Sequence, residues 1–96
     1  MPVLLIPEDF TEQDWFNLSH KGWATFEVRH LEHIYEIEFY DPVRLGQDLE
    51  SMGNCLIFSG LIVLKEVALP EILKALDLAE KEGLFKSLKP IRTAGG

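Results

Sequence analysis

The sequence contains very little cysteine. Cys55 is the only one in 96 residues, so an intrachain disulfide is excluded, and so is a zinc site built from several cysteines. This composition fits a reducing compartment, and we predict a cytoplasmic protein. Because Cys55 lies beside Leu56 and Ile57 and has no activating neighbour in sequence, we expect a small buried apolar side chain and not a nucleophile.

The sequence also lacks a long hydrophobic run. The longest stretch, residues 55–64, is interrupted by Ser59 and Gly60 and is far shorter than the roughly 20 residues that span a bilayer. The apolar residues 3–6 follow no basic segment, and acidic residues come after them instead of a signal-peptide cleavage site. We therefore predict neither a membrane span nor a signal peptide.

Basic residues are scarce. Nine lysines and arginines face 16 acidic residues, for a net charge of −7. The imbalance lies in residues 1–50, which hold eleven acids and three bases, whereas residues 51–96 hold five acids and six bases. An acidic domain repels phosphate and attracts basic partners, so we predict no nucleic-acid binding and expect a basic protein partner.

Sequence motifs of catalysis and nucleotide binding are missing. The glycines at positions 46, 53, 60 and 83 occur singly, without a phosphate-binding loop. Ser59 lacks the glycine two positions earlier that a hydrolase nucleophile elbow has. We predict no cofactor, and an enzyme is the less favoured interpretation.

From residue 23 to residue 40, apolar and polar residues alternate along the chain, which predicts an antiparallel hairpin from Trp23 to Tyr40. The apolar side chains of both strands share one face when the strands pair as follows: Val28 with Tyr35, Phe26 with Ile37, and Ala24 with Phe39. The other face then carries Glu27 opposite Glu36. Leu31 and Glu32 are poor residues for a tight turn, so we expect a four-residue connection or a slipped register with the same parity.

Three helices are predicted, near residues 12–21, 42–52 and 70–82. They begin at the capping residues Thr11 and Asp41 and at Pro70, and they end before glycines at positions 22, 53 and 83. We expect the second helix on the sheet face that carries Phe26 and Ile37. The apolar side of the third helix is predicted to contain Leu69, Ile72, Leu73, Leu76 and Ala79.

The remaining segments complete a single α+β domain over residues 1–96. Asn54–Val67 is apolar and β-prone, and it predicts either one bulged strand or two short strands. At least part of it should be buried on both faces, as in a central strand. Residues 3–6 form a further edge strand, residues 84–90 an edge strand or short helix, and the tail from about Thr93 frays. The predicted architecture is a two-layer sandwich with a mainly antiparallel sheet of about three to five strands.

The polar face of the hairpin is the leading candidate site. Acids interleaved with aromatics are typical of an interface for a basic partner, because aromatics supply buried area and charges steer the encounter. The alternative is an ordinary solvated sheet face. The function predicted is a non-catalytic protein-binding domain with an accessory, inhibitory or neutralising role, and the candidate residues are Trp23, Glu27, Arg29, Glu36, Glu38 and Tyr40.

Two other functions stay open at this stage. The first is a self-associating structural domain, a homodimer in which hairpin or C-terminal edges pair across a two-fold axis. The second is a small enzyme or ligand-binding protein with a site near Asp41, Arg44 and Asp48, which more simply are a helix cap and an i, i+4 ion pair.

The histidines are a candidate metal site. His30 and His33 face each other across the predicted hairpin end, and Glu32 could supply a third ligand. His20, the remaining histidine, lies at the end of a different element. The simpler interpretation is a pair of half-exposed histidines, so we predict no metal site.

Overall fold

The computed structural model describes residues 1–57 and 59–94. The strands are β1 (Val3–Leu5), β2 (Trp23–His30), β3 (His33–Tyr40), β4 (Leu61–Val63) and β5 (Arg92–Thr93). The helices are α1 (Glu12–Lys21), α2 (Pro42–Ser51), α3 (Leu69–Lys81) and α4 (Leu84–Ser87). This arrangement confirms the predicted α+β class, and the three long helices begin and end within one residue of their predicted limits.

The five strands form one sheet, in which β1, β2, β3 and β4 are neighbours in that order. Every pairing is antiparallel except that of β3 with β4, which are connected by α2 and run parallel. Because β2 occupies one edge of β3, β4 and β5 share the other edge, at opposite ends of the strand. The predicted mainly antiparallel sheet is confirmed, with one parallel crossover added.

The register of the central hairpin is as predicted, and its turn is not. Val28 opposes Tyr35, Phe26 opposes Ile37 and Ala24 opposes Phe39. The strands stay paired up to His30 and His33, so only two residues form the turn. Leu31 adopts a φ of 57°, and a positive φ at the first central residue alone is typical of a type II′ turn. Continuous pairing of the buried face therefore overrides the poor turn propensity of Leu31.

One face of the sheet, which we call the inner face, carries the hydrophobic core. Phe39, Ile37 and Val28 are completely buried there, together with Ile72 and Leu76 of α3. Burying each such side chain contributes roughly 1.5–3 kcal/mol, so this layer supplies most of the stability of the domain. Further residues of the same cluster come from α4 and the loop before α3, namely Phe85, Leu64 and Val67.

Helix α1 packs on the same inner face through aromatic rings. Trp15 stacks on Phe26 with ring centroids 5.7 Å apart, and Phe10 contacts both rings edge-on at 4.9 and 6.0 Å. The predicted N-terminal cap is confirmed, since the Thr11 hydroxyl accepts from the Asp14 amide in a capping box. A helix of ten residues is marginal alone, so this aromatic packing stabilises α1.

Helix α2 does not lie on the inner face, and that prediction was wrong. The Tyr40 hydroxyl donates a 2.7 Å hydrogen bond to Asp48, and the Arg44 guanidinium lies 5.9 Å from the ring centroid of Trp23. Tyr40 and Trp23 oppose each other on the face that points away from Phe26. The strand ends at Tyr40 and Pro42 starts the helix at once, so the chain leaves the sheet on the Tyr40 side.

The segment Asn54–Val67 was wrongly predicted to be a strand pair or bulged strand buried on both faces. Among the described residues of this segment only Leu61–Val63 forms a strand, it lies at the sheet edge, and Val63 is 47% exposed. Gly53 and Asn54 have φ values of 79° and 65°, which start a loop instead of a strand. Cys55 lies in that loop and is exposed, so its predicted burial was also wrong. Phe58 lies outside the described residues.

The C-terminal region contributes α4 and β5. Phe85 in α4 is buried, and Arg92 and Thr93 pair with Ile34 and His33. The Ala94 amide also donates to the Glu32 carbonyl at 2.7 Å. The predicted fraying of the tail stays a prediction, and Gly95 and Gly96 lie outside the described residues.

The buried apolar side of α3 is narrower than predicted. Leu73 of α3 is 48% exposed and does not belong to the apolar side that buries Ile72, Leu76 and Ala79, so that assignment was wrong. Within residues 1–57 and 59–94, no helix is long and apolar enough to cross a bilayer.

Candidate functional site: the outer face of the sheet

The outer face is the side of the β2–β3 hairpin that points away from the core. Successive residues of a strand point to opposite faces, so the observed register decides its members. Glu27 opposes Glu36, Trp23 opposes Tyr40, and Glu38 opposes Thr25. All six candidate residues therefore share this face: Trp23, Glu27, Arg29, Glu36, Glu38 and Tyr40.

Two cations lie close to the ring of Trp23 at one end of the outer face. The Lys21 ammonium lies 4.7 Å from its ring centroid, and the Arg44 guanidinium lies 5.9 Å away. The Tyr40 ring is beside it, with centroids 6.5 Å apart. Cations above an indole stabilise by about 0.5–1 kcal/mol at exposed sites, so this end of the face is held by contacts within the chain.

Tyr40 is buried and belongs to a network with Asp48 and Arg44. Burial, followed by the hydrogen bond to Asp48, raises the pKa of Tyr40 to about 12. The same hydrogen bond, together with the Arg44 guanidinium at 2.9 Å, lowers the pKa of Asp48. The Asp41 side chain accepts from the Arg44 amide at 2.7 Å and caps α2. Each member of the alternative site near Asp41, Arg44 and Asp48 thus has a structural role.

Glu27 is neutralised by a residue that sequence reasoning did not connect to it. The Arg92 guanidinium reaches across β3 and binds both carboxylate oxygens of Glu27, at 3.0 and 2.5 Å. This contact lowers the pKa of Glu27. Arg29 lies on the same face, but Arg92 forms the ion pair, and it is 65 positions away from Glu27 in sequence. Only the pairing of β5 with β3 brings it there.

Glu36 and Glu38 are left on the outer face without a neutralising base. None of the ion pairs among the described residues includes either carboxylate. Desolvation by burial is the main cause that raises the pKa of Glu38, and the neighbouring Glu36 charge raises it further. The Oε2 atom of Glu38 is buried, with no hydrogen-bond partner in the described part of the chain. This carboxylate is destabilised when it is ionised.

The two hairpin histidines oppose each other as predicted, and His30 contacts an acid from a different element. The His30 ring stacks on Phe85 with centroids 4.4 Å apart, and its Nε2 lies 3.0 Å from Glu80. The N-terminal amine also binds Glu80, at 3.3 Å. Among the described residues, no group of three His, Cys, Asp or Glu side chains could hold a metal ion.

The outer face therefore combines two carboxylates without a base, one aromatic residue of intermediate exposure and the exposed side chains of Thr25 and Arg29. Carboxylates and an aromatic ring on an open sheet surface can bind a cationic side chain. Comparisons of the chain with protein-family models, with curated proteins and with solved structures give no match.

Proposed function

We propose that this protein is a non-catalytic protein-binding domain that recognises a basic protein through its outer face. The observation that carries the proposal is the pair Glu36 and Glu38. Arginines neutralise the other acids of this surface, Glu27 and Asp48, whereas these two carboxylates have no ion-pair partner among the described residues. We propose that the protein has an accessory, inhibitory or neutralising role toward this partner in the cytoplasm.

The electrostatics of Glu38 explain why a cation would bind here. Its carboxyl group is partly desolvated and lies near a like charge, so the ionised form is unfavourable in the free protein. A lysine or arginine from a partner would supply the missing opposite charge beside this carboxyl group. Hydrogen bonds to a charged group contribute about 1.5–3 kcal/mol when their geometry is good.

Apolar surface beside the acids would supply buried area. By register, Leu61 on β4 lies next to Glu38, and Val63 lies next to Tyr40 on the same face. Val63 is 47% exposed and Leu61 is partly exposed. Protein interfaces commonly join an apolar centre to charges that orient the partner, and this surface has both components.

Charge reversal with a matched control tests the proposal. The variant Glu36→Lys/Glu38→Lys and the control Glu8→Lys/Glu50→Lys change the net charge equally, and Glu8 and Glu50 are exposed outside the outer face. Immobilised wild type and control should capture the same basic proteins from cell lysate, and the Glu36/Glu38 variant should lose them. Equal capture by all three proteins, or equal loss in both variants, would refute a role of the outer face.

A salt series separates specific from nonspecific capture. Binding through two carboxylates weakens as ionic strength rises, because the Debye length falls from about 10 Å at 0.1 M to about 3 Å at 1 M salt. We expect captured proteins to be released between these concentrations. Retention at 1 M salt would indicate an apolar interface elsewhere on the domain.

A further inference from the structure

Strand β4 presents an open edge. The Glu38 amide donates to the Gly60 carbonyl at 2.7 Å, and the Leu64 amide donates to the Tyr40 carbonyl at 2.7 Å. Backbone groups of alternate residues in a strand point to opposite sides, so those of Leu61 and Val63 point away from β3. No other described strand pairs with β4. Two N–H and two C=O groups are therefore directed outward from this edge.

The opposite edge of the sheet is protected. Strand β1 is three residues long and lies between Pro2 and Pro7, which have no backbone N–H. Prolines beside a short strand prevent another strand from pairing there. An added strand thus has a better site at β4 than at β1.

An apolar groove of about 520 Å³ lies between β4 and α3. Its lining includes Val63 on the strand and Ala75 and Leu78 on the helix. Leu78 is 59% exposed, and Ile62, which shares the inner face with Phe39, is partly exposed in the same groove, so apolar side chains lie in solvent next to unpaired backbone groups. Both features are typical of a surface that a further strand covers.

The charges around the groove balance. Two acids and two bases line it: Glu71, Glu82, Lys65 and Lys74. The whole chain has a net charge of −7, so a second copy is repelled by most of the surface. A surface with both signs and no net charge does not repel a second copy, whereas a basic partner would gain nothing there. The charge pattern favours a second copy of this chain as the occupant.

We propose that β4 pairs antiparallel with β4 of a second copy, across a two-fold axis at Ile62. Leu61 then exchanges both backbone hydrogen bonds with Val63 of the partner subunit, and the two Ile62 side chains face each other on the inner side. The two sheets join into one, and Leu78 of each copy is covered. This interface uses the free backbone edge of β4, so Leu61 and Val63 keep their side chains on the outer face next to Glu38 and Tyr40. The dimer presents two copies of the outer face to a partner.

Sedimentation equilibrium of the wild type and two variants tests this dimer. Leu78→Lys places like charges in the covered groove, whereas Leu73→Lys is the same substitution at a 48% exposed position of α3 outside the groove. The wild type and Leu73→Lys should show twice the mass of one chain, with equal dissociation constants. We expect Leu78→Lys to dissociate at least about tenfold more readily.

A third variant tests the strand edge itself. Val63→Pro removes an N–H that points away from β3, so the parallel pairing inside the chain is retained while the intermolecular hydrogen bond is lost. Far-UV circular dichroism should be unchanged, and the mass should fall to that of one chain. A wild type that stays monomeric up to roughly 1 mM, or dimers of equal strength in Leu78→Lys and Leu73→Lys, would overturn the proposal.

Failure of the proposed dimer can be distinguished from failure of the proposed function. Glu36→Lys/Glu38→Lys changes residues outside the groove, so its dimer should be as stable as that of the wild type. Loss of the dimer in this variant would overturn the assignment of the interface to β4 and α3.

Discussion

The two faces of one sheet use different physical means to become stable. The inner face is dry and aromatic, with completely buried side chains at positions 28, 37 and 39 and two long helices packed over them. The outer face buries Ile34 and Tyr40 and depends more on polar contacts, such as those of Arg92 with Glu27 and Tyr40 with Asp48. The side chains buried on the inner face are not accessible to a partner, whereas the outer face retains two carboxylates that we propose bind one.

The largest expected effect on stability comes from a cavity in the inner face. Ile37 is completely buried, and Ile37→Ala should lower the free energy of unfolding by about 2–5 kcal/mol through lost burial and a cavity. Thr25→Ala, on the exposed outer side of the neighbouring strand, removes a hydrogen bond to Glu38 and should lower it by no more than about 1 kcal/mol. Urea unfolding of both variants measures the difference, and similar values for the two faces would contradict the comparison.

A glycine at the junction of the faces should give the second largest effect. Gly22 ends α1 with a φ of 75°, and a methyl group there would lie 2.6 Å from the Asp41 carboxylate that caps α2. Gly22→Ala should therefore cost about 2 kcal/mol, from left-handed backbone strain and from a disturbed cap.

Gly83→Ala is the matched control for that prediction. Gly83 has a φ of 77°, and the nearest atom a methyl group would meet is 4.0 Å away. It should cost only the strain, about 1 kcal/mol, in the same urea measurement. If Gly83→Ala destabilises as strongly as Gly22→Ala, then the contact with the Asp41 cap has no measurable role.

A smaller effect on stability is expected when one tyrosine hydroxyl is removed from each face. Tyr40→Phe removes the 2.7 Å hydrogen bond to Asp48 and should cost about 1 kcal/mol, and the pKa of Asp48 should rise. Tyr35→Phe removes a longer bond of 3.3 Å to the Phe85 carbonyl and should cost less. Thermal unfolding of both variants checks the order, and the reverse order would show that the outer network is weak.

The smallest effect depends on pH. Because the pKa of Glu38 is raised in the folded protein, ionised Glu38 destabilises the fold at neutral pH. Glu38→Gln should therefore stabilise by about 0.5 kcal/mol at pH 7 relative to wild type. The gain should vanish below the ordinary pKa of 4.5, where the wild-type carboxyl is protonated in both folded and unfolded states.

Local sequence signals predicted the elements well, and long-range placement was harder to predict. The period of two between Trp23 and Tyr40 determined the register, and the caps at Thr11 and Asp41 determined the helix starts. The side of the sheet that α2 covers depends on the direction in which the chain leaves Tyr40. The periodicity of apolar residues gives no information about that direction. The segment near Cys55 is apolar in sequence and still forms a loop.

The candidate site was predicted in part for the same reason. Alternation placed Glu27, Glu36 and Glu38 on one face, which the register bears out. The neutralisation of Glu27 by Arg92 required the position of β5, which has only two residues and no strand signal of its own. Charge patterning along the chain thus overestimates the free negative charge of the outer face.

The most direct test of the central claim is the pKa of Glu38, measured by carbon-detected NMR titration of its side-chain carboxyl in wild type and in Glu36→Gln. We predict a wild-type pKa above the ordinary value of 4.5, and a lower pKa when the Glu36 charge is removed. A Glu38 that titrates at or below 4.5 in the wild type would contradict the claim that the outer face holds carboxylates without a base.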